Sequence, residues 1–370
     1  MTPGTTRPGR EIVVEIGLYR AVIGPGVLRR LGELIREAAP AHRYVIITDE
    51  HVGPLYAEVV RSAVGASNTH LLAIQPGEAE KTRETWARLT DRMLEIGLAR
   101  DTVVLALGGG VIGDLAGFVA ATYMRGVPIV QLPTSLLAMI DASVGGKTGV
   151  DTAVGKNLVG AFHPPAIVVA DTDVLRTLPV RHLRAGLAEA IKHGVVANER
   201  HFEAVVERAP SIGAGAHDAA DLSALVAESV GIKAAVVRLD ERERGLRKIL
   251  NFGHTVGHAI EFLSDYTLLH GEAIAIGMVL ESAIAERMGV AEPGTAARIN
   301  AALRHAELPT TVPIGMTGEE ILRATQGDKK ARSGVVEYAL PARIGAMAGS
   351  DRGWGTPVPD QLVREAVDEG

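Results

Sequence analysis

His254 and His258 stand one helical turn apart in Leu250-Asn251-Phe252-Gly253-His254-Thr255-Val256-Gly257-His258-Ala259, so a helix there presents two imidazoles on one face. A third imidazole follows in His270-Gly271-Glu272. Upstream, Glu189-Ala190-Ile191-Lys192-His193 sets a carboxylate and an ammonium one turn apart. Histidines with a carboxylate and no thiolate suit Zn²⁺, Co²⁺ or a similar ion, and three protein donors leave positions open for substrate oxygens, as a catalytic site requires. The plainer alternative is a set of core or surface histidines, which fits a lone His better than this cluster. Lys192, Lys233, Glu243, Arg247, Asn251 and Asp328-Lys329-Lys330 read in isolation as surface charges, and they matter only if the fold gathers them.

Two glycine-rich stretches add a second kind of chemistry. Gly108-Gly109-Gly110-Val111-Ile112-Gly113-Asp114 follows an apolar run and opens onto a helix expected from about Leu115. Such a turn lets backbone approach a diphosphate and offers it the free N–H groups and positive end of a helix. A simple tight strand-to-helix turn uses the same glycines. The second stretch, Asp141-Ala142-Ser143-Val144-Gly145-Gly146-Lys147-Thr148 with Gly155-Lys156-Asn157, lacks the leading glycine of a nucleotide-hydrolase phosphate loop, because Ile140 stands there. Its lysines and glycines suit an anion, or a mobile loop with solvated lysines.

Elements able to position these groups are legible in the apolar pattern. Residues 11–23 alternate as two short strands or a hairpin closing at Gly24-Pro25-Gly26. Short apolar runs at 44–48, 70–74, 103–107 and 128–132 alternate with helical segments, which implies a parallel sheet covered on both faces. Trp86, Leu89, Met93 and Ile96 form one helix's core stripe. Beyond about residue 180 helices dominate, at 181–195, 220–238, 255–263, 272–288 and 295–305, with 272–280 apolar almost all round and so central. The expected division is an α/β nucleotide-binding domain over 1–178, broken at Leu178-Pro179, and a helical metal- and substrate-binding domain over 179–370. Residues 349–359, with Trp354, read as an exposed loop before a last short helix.

Bulk properties agree. A chain of 370 residues exceeds what one core usually supports. Its 47% hydrophobic and 22% charged residues supply two ordinary cores. A net charge of -6 without basic clusters argues against nucleic acid. With no cysteine, no apolar leader and no stretch of about 18 apolar residues, a soluble cytoplasmic protein is expected.

Taken together, Gly108–Asp114, Asp141–Thr148, Gly155-Lys156-Asn157-Leu158-Val159-Gly160-Ala161-Phe162, Gly186-Leu187-Ala188-Glu189-Ala190-Ile191-Lys192, residues 251–261, His270-Gly271-Glu272 and Asp328-Lys329-Lys330 resemble the 3-dehydroquinate synthase family. The likeness runs in order from about residue 12 to 345. It implies a two-domain sugar-phosphate cyclase, a Rossmann-like parallel sheet followed by an all-α domain, acting as a homodimer. The implied reaction converts 3-deoxy-D-arabino-heptulosonate 7-phosphate to 3-dehydroquinate and phosphate in the shikimate pathway of aromatic amino acid and chorismate biosynthesis. In that family NAD⁺ oxidises an alcohol, phosphate leaves by β-elimination, hydride returns, and an aldol step closes the ring; oxidation acidifies the neighbouring C–H and makes elimination possible. One divalent ion, zinc or cobalt, polarises the reacting oxygen.

Residue by residue, the resemblance puts the metal on Glu189, His254 and His270. It gives His258 a proton-transfer role with Glu243 as companion, and places Lys192 and Asp141 near the reacting centre. Substrate groups fall to Arg125 from the neighbouring subunit, Lys147, Asn157, Lys233, Arg247, Asn251 and one or both of Lys329 and Lys330. NAD contacts fall to Asp49, His51, Gly77, Glu78, Lys81, Gly110, Val111, Gly113, Asp114, Thr134, Ser135, Lys147, Lys156, Val174, Leu175 and Thr177. His51 stands where relatives often carry Asn. Valiolone-forming and deoxy-inosose-forming cyclases share both cofactor sites, and the former typically replace the residues matched by His258 and Arg247, which are present here. Two further readings share the motifs in part: an aminodehydroquinate synthase of antibiotic biosynthesis, and a metal-dependent polyol dehydrogenase that would leave NADH as product. A non-catalytic nucleotide-binding subunit would make the metal cluster fortuitous.

Overall fold

The computed structural model describes residues 11–153, 155–326 and 336–369. Two compact units emerge, one from Met1–Leu178 with Asp218–Ala234, the other from Pro179–His217 with Ala235–Gly370. A single cut at 178 therefore omits a return of the chain to the first unit. Side-chain contacts help hold that returning segment: Thr172 Oγ1 lies 2.8 Å from Ser223 Oγ, and Lys233 Nζ lies 2.8 Å from Asp141 Oδ1.

The first unit is built on β1 (Ile12–Ile16), β2 (Tyr19–Gly24), α1 (Leu31–Ala38), β3 (Arg43–Asp49), α2 (Gly53–Val64), β4 (Thr69–Ile74), α3 (Arg83–Glu95), β5 (Thr102–Gly108), α4 (Gly110–Thr122), β6 (Ile129–Pro133), β7 (Lys147–Thr152), β8 (Gly155–Phe162) and β9 (Ile167–Asp171). Seven strands form one sheet in the order β1-β2-β9-β6-β5-β3-β4, parallel from β2 onward. Every residue of β5 is buried, because helices cover both faces of a parallel sheet and leave no polar side to alternate. From β3 the chain steps outward to β4 and then back across to β5, so the winding reverses between β3 and β5, the crevice where α/β sheets bind ligands.

Three local expectations need correcting. The N-terminal hairpin closes at Gly17-Leu18, where Gly17 takes φ +64, because strand pairing runs Ile16 to Tyr19; Gly24 instead ends β2. Helix α4 starts at Gly110 rather than near Leu115. Residues 147–152 and 155–162, where a loop with solvated lysines is one reading, form an antiparallel ribbon, β7 on β8, in which Gly149 faces Gly160 and permits close strand approach.

The second unit holds α5 (Val180–Ala197), α6 (Glu199–Gly213), the C-terminal end of α7 (Ala219–Leu239), α8 (His254–Leu263), α9 (His270–Arg287), α10 (Thr295–His305), α11 (Gly318–Gln326) and α12 (Asp360–Glu369). Two small antiparallel ribbons accompany the helices: β10 (Glu337–Tyr338) with β13 (Thr356–Pro357), and β11 (Pro341–Arg343) with β12 (Ala346–Met347). The stretch 349–359 is thus partly paired, and Trp354 is half-buried rather than exposed. Helix α9 is central, its residues 273–278 wholly buried. Its neighbours come close because two of its residues have no side chain: a Cβ on Gly271 would collide with Ala185 O, and one on Gly277 with Gly253 O. Among the described residues no helix is long and apolar enough to cross a membrane.

Candidate functional site

Three helices of the second unit bring their polar residues to one point. Glu189 from α5 is fully buried, and its Oε1 lies 3.5 Å from His254 Nε2 and 3.6 Å from His270 Nε2. Its Oε2 is ion-paired with Lys192, one turn on and equally buried. His258 joins them, its ring 5.1 Å from that of His254 and 5.7 Å from that of His270, and the donor nitrogens of the three imidazoles all lie within 4.8 Å of one another. Both ligand sets that these donors allow share His254 and His270.

The imidazoles are held in defined orientations. His254 Nδ1 lies 3.0 Å from Phe252 O, and since a carbonyl only accepts, that nitrogen carries a proton and Nε2 is the ring atom directed at Glu189. His270 Nδ1 lies 3.3 Å from Glu261 Oε2. Burial disfavours a charged His270, yet Glu261 and Glu189 outweigh it and push its pKa up to about 10.

Beside this cluster Asn251 Nδ2 donates to Glu243 Oε1 at 2.6 Å, which ties together two of the expected site residues. Arg247 is buried, its guanidinium donating to Glu241 O at 2.5 Å. Lys329 and Lys330 lie outside the described residues.

In the first unit the expected residues collect at the C-terminal ends of parallel strands. Asp49 ends β3; Gly77, Glu78 and Lys81 follow β4; Gly110, Val111, Gly113 and Asp114 follow β5; Thr134 and Ser135 follow β6; Val174, Leu175 and Thr177 follow β9. Gly109 precedes α4 in extended conformation and gives that helix no side-chain cap, which leaves first-turn N–H groups for an anion. Asp49 Oδ1 accepts the N–H groups of His51 and Val52, and His51 itself is exposed.

Two lysines expected to face an anion are engaged with acids. Lys81 is buried 2.7 Å from Asp114, and Lys156 lies 2.9 Å from Glu78. Burial works against the Lys81 charge, but Asp114, Glu78 and Asp151 outweigh it and raise its pKa above the ordinary lysine value. Lys233 both pairs with the Asp141 carboxylate and donates to the Asp141 carbonyl at 2.7 Å, pinning a π-helical turn over Ala138–Ala142. Lys147 and Asn157 are exposed along the ribbon. Arg125 is exposed at φ +71, directly after Met124 at φ +50, a strained pair in the turn that follows α4.

Sequence reasoning overlooked four residues. Glu261 lies seven positions after His254 and so on the same helix face, a spacing that could have flagged it. Glu281 is an acid in the apolar run of α9, and its Oε2 and Oε1 accept the N–H groups of Gly253 and Val256. Gln131, buried in β6, donates to Gly113 O at 3.1 Å. Tyr19 Oη accepts the N–H of Gly145 at 2.9 Å and anchors the glycines ahead of Lys147.

Comparison with known proteins sets these sites in context. Residues 71–185 match the family model for the 3-dehydroquinate synthase N-terminal region and residues 186–331 that for the 3-dehydroquinate synthase C-terminal region. A 3-dehydroquinate synthase of Symbiobacterium thermophilum is 47% identical over 331 residues, covering 88% of this chain and 92% of its own. One from Xanthomonas axonopodis pv. citri is 45% identical, covering 88% and 90%. Among solved structures, a 2-deoxy-scyllo-inosose synthase complexed with carbaglucose-6-phosphate, NAD⁺ and Co²⁺ superposes with a TM-score of 0.89 at 28% identity, covering 97% of this chain and all of its own. A 2-epi-5-epi-valiolone synthase from Streptomyces hygroscopicus with NAD⁺ and Zn²⁺ bound gives 0.83 at 28% identity, covering 96% and 97%.

Proposed function

The chain belongs to the 3-dehydroquinate synthase family, and from that premise we propose that it converts 3-deoxy-D-arabino-heptulosonate 7-phosphate to 3-dehydroquinate and phosphate, using NAD and one divalent metal ion. The observation that carries the proposal is the spacing of three donors. Bonds of about 2.1 Å set tetrahedrally around a metal put its ligands about 3.4 Å apart, and Glu189 Oε1 lies 3.5 and 3.6 Å from the two Nε2 atoms. The NAD⁺ with Co²⁺ or Zn²⁺ named for the two cyclase structures supports the same pair of cofactors.

Glu189, His254 and His270 would hold the ion, with Lys192 balancing the second oxygen of Glu189. When bound, the metal supplies Lewis-acid polarisation of a substrate oxygen, and the nicotinamide a reversible hydride acceptor. His258, half-buried beside both histidine ligands, moves the proton that leaves or returns at the reacting carbon or oxygen. Asn251, held by Glu243, orients a hydroxyl, while Arg247, Lys147, Asn157, Lys233, Lys329 and Lys330 bind carboxylate and phosphate. Asp141, fixed by Lys233, is the remaining catalytic candidate. Arg125 serves the phosphate of a second subunit in a homodimer, which explains a strained backbone that turns the side chain to solvent. The strand-end residues from Asp49 to Thr177, with Lys156, take NAD, its diphosphate on the open first turn of α4.

One assay tests the reading. Purified protein given the heptulosonate phosphate, NAD⁺ and Co²⁺ or Zn²⁺ is expected to release phosphate without accumulating NADH. Stoichiometric NADH with no phosphate would instead establish a polyol dehydrogenase, and exclusive turnover of the amino analogue an aminodehydroquinate synthase.

A further inference from the structure

Glu281 is fully buried in α9, three turns beyond His270, and no role above uses it. Its two carboxylate oxygens each accept a backbone N–H of the neighbouring helix: Oε2 from Gly253 at 2.7 Å and Oε1 from Val256 at 3.0 Å. Those groups flank His254, the first residue of α8. N–H groups in a first turn have no intrahelical partner, and the positive end of the helix favours a carboxylate.

Helix α8 cannot cap itself. Its N-cap is Gly253 at φ +78, and a Cβ there would come within 2.5 Å of Met278 Cγ and 3.0 Å of Ile274 O. A Ser, Thr or Asp at this position, the usual remedy, is excluded by the packing of α9. The cap is therefore supplied across the helix pair, from the same helix whose first residue is His270. One carboxylate thus ties the backbone on both sides of one imidazole donor to the helix that carries the other.

We propose that Glu281 is a positioning residue of the metal centre: by capping α8 from α9 it fixes the placement of His254 against His270. The inference rests on the reading of Glu189, His254 and His270 as metal ligands. With Gly253 and Val256 held, the His254 ring can satisfy its Nδ1 on Phe252 O and direct Nε2 at Glu189 without searching other orientations. Glutamine cannot substitute, since it offers one acceptor and turns an NH₂ donor toward the second N–H.

The test measures metal binding directly. Full-length wild type, Glu281→Gln and His254→Ala are titrated with Zn²⁺ against a chelator, and with Co²⁺ while its ligand-field absorbance is followed. Residues that orient metal ligands typically contribute about 10- to 100-fold in affinity, and E281Q is expected to weaken Zn²⁺ by that factor and to alter the cobalt spectrum. Excess metal should restore its kcat, which a generally loosened scaffold would not allow. Unchanged affinity and spectrum in folded E281Q, with the ion lost in H254A, would overturn the inference and leave the metal reading standing. An ion held equally well by H254A would overturn the metal reading itself. Should E281Q fail to fold, Glu281→Asp keeps both acceptors one methylene shorter: weakened binding is expected there too, and wild-type affinity would overturn the proposal.

Discussion

The two units use the start of a helix in opposite ways. In the first, α4 opens after Gly109 with no side-chain cap, so its N–H groups and positive end remain available to a diphosphate. In the second, α8 and α9 begin at histidines, and each start is closed by a carboxylate: Glu281 takes Gly253 and Val256, and Glu272 takes the N–H of Leu269 at 2.8 Å. An uncapped helix start repels a cation. Neutralising it lets first-turn side chains, rather than the backbone, face the ligand. One kind of terminus thus serves an anion in one unit and a metal in the other, and the difference is where the acid sits.

The sharpest way to break that contrast is to remove a metal donor. His270→Ala is expected to lose the ion and to lower turnover at least about a thousandfold, the several kcal/mol that Lewis-acid stabilisation supplies. NAD affinity, a property of the first unit, should stay within a factor of a few. Metal analysis and NAD titration of one preparation decide the matter, and full activity with normal metal content would remove His270 from the ligand set.

Next in size is a change confined to the first unit. Lys81→Met leaves Asp114 without its 2.7 Å partner in a buried place, and breaking such a pair costs about 3 kcal/mol or more. The pH dependence gives the sign. Lys81 has its pKa raised above 10.5 on folding, so its contribution is complete below 10.5 and disappears as pH climbs through the folded value. The stability gap between wild type and variant should therefore be constant from neutral pH to about 10 and close at higher pH. A gap independent of pH would mean that packing, not charge, sets it. NAD binding should weaken while the metal site is untouched.

These two experiments also mark where the sequence was readable. The strands at 44–48, 103–107 and 128–132 announce themselves because a doubly covered strand is a continuous apolar run, and the His254–His258 spacing survives as a helix face. What was not legible depends on tertiary partners. Helix α4 starts five residues before the position expected from its apolar residues, and its packing is equally hidden in the sequence: Gly117 lies so close to β7 that a Cβ would collide with Thr148. Lys81 and Lys156 looked like anion ligands because their acids, Asp114 and Glu78, become neighbours only when turns after different strands meet. Glu261 and Glu281 looked like ordinary helix acids, since an orienting group has no signature until the histidine or backbone it orients is placed beside it. Glu189 was legible as a carboxylate one turn from Lys192, but its full burial and its distance to His254 and His270 come from three helices packed on glycine.

That packing supplies the third test. A Cβ in Gly277→Ala would meet Gly253 O and lie 2.7 Å from Gly257 N, both backbone atoms that cannot rotate away. Forcing α8 off α9 should cost about 1–3 kcal/mol and, because His254 moves with Gly253, lower metal affinity more than it lowers melting temperature. An equal Gly→Ala cost with unchanged metal binding would show that the donors tolerate a shift of the helix pair.

The smallest expected effect lies in the first unit, at the loop before Lys147. Gly145 takes φ +100 and Gly146 φ +65, so the turn is set by backbone that other residues rarely adopt, and the N–H of Gly145 is received by Tyr19 Oη inside the fold. Tyr19→Phe keeps the buried ring and removes the hydroxyl that receives that N–H. Losing a buried hydrogen bond of this kind costs about 1–2 kcal/mol, a drop of about 2–4 °C in melting temperature per kcal/mol for a unit of this size. The kinetic consequence separates anchor from filler. If Tyr19 holds the glycine turn in the geometry that presents Lys147, KM for the heptulosonate phosphate should rise several-fold with kcat nearly unchanged, because a bound substrate restores the turn it selects. Bound metal should not change, since both partners of this hydrogen bond belong to the first unit. A lowered melting temperature with KM unmoved would make Tyr19 a packing residue and leave Lys147 to be positioned by the β7–β8 ribbon alone.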